Sequence, residues 1–201
     1  MSRRTERKAV KAKAALSLEK VVFLIVAVAV LVGITTYYLA SRKGTEETDL
    51  LEQDAGIPDP EVAALIERFQ KNPEDTAAMV RLGNHYYDTG NYPMAEMFYK
   101  RYLEVNPHNV NVIVDLGTVY YYTNRGEEAA KRYQDALAID PDHKNALFNM
   151  GIAKDAMGDR EGAVLWWHRF LEVAGDDPHA EPIREMIAEY EGEHKEGGKT
   201  P

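Results

Sequence analysis

From residue 58 to 191 the chain repeats one arrangement of apolar and polar positions. Met79, Leu82 and Tyr86 are spaced three and four apart, as are Ile113, Leu116 and Tyr120; Leu147 and Met150 begin a third set. Residues at that spacing are neighbours on a helix surface, so each set predicts a helix with one apolar stripe. A second helix is expected after a break, at Thr89, Gly90 and Asn91 in the first copy and at Asn124, Arg125 and Gly126 in the second. Glycine and asparagine readily adopt the left-handed conformation that ends a helix.

The spacing between copies is constant. Gly83, Gly117 and Gly151 lie 34 residues apart, and Ala95, Ala129 and Ala163 keep the same step. So do Pro73, Pro107 and Pro141, and the large apolar series Phe69, Leu103, Leu137 and Leu171. Four independent sets sharing one period mark a stacked-repeat protein, whose units bury their apolar faces against one another. Gly83 and Ala95 are expected on facing helices that approach closely, so leucine at either would overpack the contact by roughly 1 to 3 kcal/mol.

These landmarks resemble the tetratricopeptide repeat, whose pattern is W-x2-L-G-x2-Y, then A-x3-F, then P. The first copy reads Met79, Leu82, Gly83, Tyr86, Ala95, Tyr99 and Pro107; the second reads Ile113, Leu116, Gly117, Tyr120, Ala129, Tyr133 and Pro141. The third reads Leu147, Met150, Gly151, Lys154, Ala163 and Trp167, with Gly175 where proline is due and Pro178 late, which predicts a longer closing turn. The resemblance implies an all-α solenoid of about three repeats. An N-terminal half-repeat precedes them: Asp59 caps and Pro60 opens a helix striped by Val62, Leu65, Ile66 and Phe69. A capping helix with Ile183, Met186, Ile187 and Tyr190 closes the stack.

Upstream, residues 21–40 are all uncharged and mostly apolar. At about 1.5 Å per residue they match a hydrocarbon core of roughly 30 Å and predict a single transmembrane helix. A cleaved signal sequence is disfavoured by the length of the apolar run and by bulky Tyr38 near the candidate cut after Ala40. Residues 1–20 carry seven cations against Glu6 and Glu19, whereas residues 41–201 carry 17 cations against 31 anions. Basic flanks stay on the cytoplasmic side, so the expected topology is a cytoplasmic N-terminus and a periplasmic repeat domain in an inner membrane. Residues 41–57 read as an acidic linker, 58–191 as the repeat domain and 192–201 as a disordered tail.

Candidate chemistry is sparse. The chain has no cysteine, and its serines, Ser2, Ser17 and Ser41, all lie outside the repeats, which removes serine and thiol nucleophiles from that domain. The six histidines form no i, i+4 pair with a companion glutamate, so no metal site is expected, and His108, His143 and His179 read as turn residues. No phosphate-binding glycine loop is present. The pairs Glu127–Glu128 and Asp176–Asp177 suit helix N-termini. No cofactor and no enzymatic activity are expected. The acidic repeat domain repels nucleic acid.

Binding is the remaining expectation. In the family, the stripe beside the core stripe of each first helix lines a concave groove. The resemblance places Val80, Asn84 and Tyr87 there, then Asn111, Val114, Thr118, Tyr121 and Tyr122, then Asn145, Phe148, Ile152 and Asp155. Aromatic rings and side-chain amides suit an extended peptide or amphipathic helix of a protein partner. Capture of an acidic C-terminus is not expected, because Val80, Asn84, Asp115, Asn145 and Asn149 occupy the places of the basic clamp that does so in other members. The expected function is a membrane-anchored adaptor, its organisation similar to anchored subunits that present apocytochrome during c-type cytochrome maturation. A self-associating scaffold (a homo-oligomer) and a mitochondrial outer-membrane import receptor are the alternatives.

Overall fold

A computed structural model describes residues 20–36 and 59–197, and among them every regular element is a helix. The chain divides into two compact units, Met1–Ala55 and Gly56–Pro201. In the first, residues 20–36 form α1. In the second come α2 (Pro60–Lys71), α3 (Thr76–Asp88), α4 (Tyr92–Val105), α5 (Val110–Tyr122), α6 (Gly126–Ile139), α7 (Lys144–Ala156), α8 (Arg160–Ala174) and α9 (Ala180–Gly197).

Helix α1 is apolar around its circumference and exposed, with Phe23 at 76% and Leu31 at 63%. Thr35 and Thr36 donate their hydroxyls back to the carbonyls of Leu31 and Val32, both at 2.7 Å. The end of the expected span, residues 37–40, lies outside the described residues, as do the linker and nearly all of the basic segment. Among the described residues no helix is long and apolar enough to cross a membrane.

In the second unit, α3 with α4, α5 with α6, and α7 with α8 form three helical hairpins, each packed on the next. The caps follow the repeat. Asp75, Asn109 and His143, one period apart, accept from the backbone N–H groups of Ala78, Val112 and Ala146. The turns do likewise: Gly90, Asn124 and Gly158 hold φ of 77°, 58° and 80°. Gly126, expected in the second turn, instead opens α6. Asp59 and Pro60 start α2 as expected, with the Asp59 carboxylate accepting from Glu61 N–H at 2.8 Å.

The core is a column of apolar residues in register. Met79, Leu82, Tyr86, Ala95, Phe98 and Tyr99 are buried in the first repeat; Leu116, Ala129, Tyr133, Leu147, Ala163, Trp167 and Phe170 continue the column, and Ile183 and Ile187 of α9 close it. The close approach expected between Gly83 and Ala95 takes another form. A Cβ on Gly83 would stand 2.5 Å from Tyr99 Cε1, one on Gly117 2.6 Å from Tyr133 Cε1, and one on Gly151 closer still to the Trp167 indole. Each repeat glycine is thus the seat of the large ring four residues beyond the repeat alanine.

Two C-terminal expectations resolve differently. The third hairpin is joined to α9 through residues 175–179, one residue longer than the 106–109 and 140–143 turns, with Gly175 at φ 55°. Helix α9 continues to Gly197, past residue 192 where the tail was expected to begin. Its added turns contain glutamates and Lys195, good helix formers that extend a helix already anchored by Ile183 and Ile187.

Candidate functional site

The first helices of the three hairpins, α3, α5 and α7, line one side of the stack, and between them opens a cavity of about 340 Å³. Tyr87 comes from the end of α3; Val114, Asp115, Thr118 and Tyr122 from α5; Asn145, Phe148 and Asn149 from α7. Tyr99 of α4 and Phe170 of α8 form its floor, and Asp177 and His179 of the closing turn form one edge. These side chains meet because residues one period apart occupy equivalent places on successive hairpins, so a single helix face is presented three times.

Aromatic rings make one wall. Tyr92 and Tyr122 stack with centroids 5.6 Å apart, Tyr87 lies 5.9 Å from Tyr122, and Tyr121 packs edge-on to Tyr122 at 5.5 Å. Tyr122 is 52% exposed although its neighbours are tucked in, so its ring offers a face to whatever enters the groove. Opposite, Phe148 packs on Phe170 at 5.4 Å and on the His179 ring at 4.6 Å.

The polar groups are mostly engaged. The Tyr99 hydroxyl donates to Asn84 Oδ1 at 2.9 Å, the Tyr133 hydroxyl to Thr118 Oγ1 at 3.3 Å, and Asn149 Nδ2 also donates to Thr118 Oγ1. Asp177 pairs with Lys144 at 2.8 Å and with His179 Nδ1 at 2.9 Å. Lys144 and the His179 backbone and ring hold its carboxyl well below the usual range. Asp115 is the exception. Among the described residues it makes no hydrogen bond or ion pair, and burial pushes its carboxyl up to about 6. Burial likewise raises the Tyr99 phenol, with the Asp115 charge adding to it, and pushes Tyr133 up to about 12.

Of the residues expected in the groove, Tyr87, Val114, Thr118, Tyr122, Asn145 and Phe148 line this cavity. Asn84 accepts from Tyr99 and lines a second cavity, of about 320 Å³, between α2 and α3. Asn111 and His143 Nε2 share a 3.0 Å hydrogen bond, and Asp155 accepts from the Tyr190 hydroxyl at 2.7 Å. Tyr121 supports Tyr122 from the side. Val80 and Ile152 are half-buried and lie outside the cavity lining. Asp115 and Asn149, expected only as the places of a basic clamp, also line the cavity, and Phe170 and Asp177 line it without having been expected there. Asp115 and Asn149 are one period apart and one position past Val114 and Phe148, so widening the expected stripe by a single helical position would have included them.

Among the described residues no three acidic or histidine side chains gather as a metal site. Trp166, one position from the core ring, carries the Arg169 guanidinium over its face at 4.9 Å.

Comparison with known proteins agrees with the hairpin architecture. Tetratricopeptide-repeat profiles match residues 74–142 and 114–177, together just over half of the chain. A sequence comparison with curated proteins gives no match. Among solved structures, the fold is similar to that of MamA (19% identity, TM-score 0.60, covering 66% of this chain and 77% of that one). It is also similar to the first repeat domain of Spaghetti (RPAP3), bound to the HSP90 peptide SRMEEVD (21%, TM-score 0.54, 57% and 94%). A third is the Yersinia enterocolitica type III secretion chaperone SycD, in complex with a YopD peptide (13%, TM-score 0.55, 58% and 92%). At these identities the likeness is one of fold. With the repeat period, the seated rings and the profile matches in agreement, the chain belongs to the tetratricopeptide-repeat family.

Proposed function

We propose that this chain is a membrane-anchored adaptor that holds an extended segment of a partner protein in the groove of α3, α5 and α7. The observation that carries the reading is the cavity itself: an open space of about 340 Å³ walled by Tyr87, Tyr122 and Phe148 and edged by the amides of Asn145 and Asn149. Rings supply large contact area at low entropic cost, and side-chain amides can pair with both backbone groups of an extended peptide. Two proteins of similar fold hold peptides, the HSP90 peptide and the YopD peptide.

The anchor is residues 21–40, with the N-terminus cytoplasmic and the repeats across the inner membrane. Its support is the exposed, all-round apolar surface of α1, where the two threonine hydroxyls are satisfied within the helix. Service in c-type cytochrome maturation is the narrower form, and it rests on resemblance of organisation alone.

Photo-crosslinking from position 122 in native membranes tests the reading. A discrete adduct absent from a control site at Lys131, on the second helix α6, is expected. Identical adducts from both positions would overturn it. Adducts without cytochrome or haem-lyase components would remove the narrower form, and reporter fusions at both termini would decide the topology.

A further inference from the structure

Resting on the reading of this groove as a peptide site, we propose that its cavity receives a lysine or arginine side chain of the bound segment, with Asp115 as counter-ion and Tyr87, Tyr122 and Phe148 as walls.

Three other carboxylates at or near the groove already have partners. Asp177 is held by Lys144 and His179, Asp155 accepts from Tyr190, and Glu96, behind the groove on α4, is paired with Lys100 and Arg125. Asp115 has none among the described residues, yet it lies half-buried in the wall of the cavity. A carboxylate withdrawn from water without a partner is costly, and an incoming cation removes that cost. Among the described residues no lysine or arginine lines the cavity, so the place of the counter-ion is open to a ligand.

The walls suit the same ligand. An ammonium or guanidinium within about 6 Å of an aromatic face is attracted by the ring quadrupole. The fold uses this contact repeatedly, with Arg125 over Tyr120 at 4.2 Å, Arg160 over Tyr190 at 4.7 Å and Arg169 over Trp166. The half-buried Tyr87, the exposed Tyr122 and Asp115 line the same cavity, so a long aliphatic stem can lie along the rings while its charged end reaches the carboxylate. A volume of about 340 Å³ accommodates such a side chain with the backbone that carries it. Residues 41–201, with 17 cations and 31 anions, would steer a basic segment toward the domain. An acidic segment meets the opposite: Asp115 and Asp177 on the lining and no basic clamp.

The test is selection of a phage-displayed random peptide library on the full-length chain in phosphatidylcholine nanodiscs, followed by affinity measurements with the recovered peptides. Peptides sharing a lysine or arginine at one position are expected, bound at least about tenfold more weakly by Asp115→Asn. Replacing that basic residue with norleucine should cost wild type the same factor and Asp115→Asn nothing more. Asp115→Glu should keep the preference, and unchanged far-ultraviolet circular dichroism shows that the variants are folded. If recovered peptides lose affinity on Tyr122→Ala but are indifferent to Asp115→Asn and to norleucine, the groove binds peptides and the cation receptor is wrong. If no recovered peptide depends on Tyr122 or Asp115, the groove reading falls as well.

Discussion

The Tyr99 hydroxyl donates to Asn84 Oδ1 at 2.9 Å, tying the second helix of the first hairpin to its first helix across the rim of the groove. One period on, Tyr133 donates to Thr118 Oγ1 at 3.3 Å. After one more period the pair is Trp167 and Ile152, and the buried Trp167 Nε1 has no hydrogen-bond partner among the described residues. The third hairpin exchanges a hydrogen bond for ring area, at the cost of a desolvated donor.

Removing the bond in the first hairpin should therefore be measurable. Tyr99→Phe keeps the ring on Gly83 and loses only the hydroxyl, an expected cost of about 0.5 to 1.5 kcal/mol. Tyr133→Phe, whose bond is longer, should cost less. Urea unfolding followed by tryptophan fluorescence would compare the two midpoints, and equal or inverted losses would show that these hydroxyls are better satisfied by water.

The repeat glycines separate space from backbone strain. Gly151 sits against the Trp167 ring, so Gly151→Ala must displace a fully buried indole, with an expected loss of about 1 to 3 kcal/mol. Gly90→Ala meets nothing within 4 Å but must hold φ near 77°, which should cost about 1 kcal/mol through the backbone alone. A second substitution, Trp167→Leu, should recover part of the loss in Gly151→Ala and none of that in Gly90→Ala. Thermal unfolding of the four variants decides it.

The hairpins were legible in the sequence because a period of 34 reports what is local: stripes, turns and caps repeat whenever hairpins do. Three-dimensional neighbours were less so. Gly83 was paired with Ala95, the nearest small landmark in the pattern, but the space is filled by Tyr99, because side chains on the facing helix lean over the preceding turn. Half of the expected groove residues do line the cavity. Asn111 and Asp155 do not, because His143 and Tyr190, from the turn before α7 and from α9, engage them. Asp115 is legible in the sequence only as one of the places of a basic clamp that holds no cation; its lack of a partner among the described residues is visible only once α3, α5, α7 and α8 are assembled.

Arg125 replaces a helix cap with a tie between hairpins. At its position the first and third hairpins carry Asn91 and Asp159, which cap the following helices with their side chains, whereas Arg125 makes no such cap. Its guanidinium instead pairs with Glu96 on α4, donates from Nε to Thr123 Oγ1 at 3.0 Å and lies over Tyr120. Although burial acts in the opposite direction, Arg125 and Lys100 hold the Glu96 carboxyl below its usual value. The Glu96 contribution is then complete above the ordinary carboxylate range and fades as pH falls through the lowered value. Arg125→Ala should cost about 1 to 2 kcal/mol at neutral pH, and Arg125→Lys, which loses the planar fork and much of the stacking, should recover only part of that. The Arg125→Ala deficit should shrink as Glu96 is protonated, which a pH series of urea midpoints would record.

Asp115 acts in the opposite sense. Its carboxyl, near 6 in the folded chain, is raised by burial; its charge acts on Tyr99 of α4 and Tyr133 of α6, and it shares the cavity lining with Tyr87 of α3, Asp177 and His179. None of these is a lysine or arginine that would favour the ionised form. A raised acid binds its proton more tightly folded than unfolded, so Asp115 leaves stability untouched below its unfolded value near 4 and lowers it increasingly as pH rises toward 6 and above. Asp115→Asn should therefore stabilise the unliganded protein at pH 7, by about 1 to 2 kcal/mol after allowance for partial exposure, and the gain should vanish near pH 4. A bound basic peptide should cancel the gain, because a cation beside the carboxylate restores its ordinary ionisation. Unfolding midpoints of wild type and Asp115→Asn across pH 4 to 8, with and without such a peptide, would decide the matter: a pH-independent difference would mean that the Asp115 carboxylate is already solvated or paired.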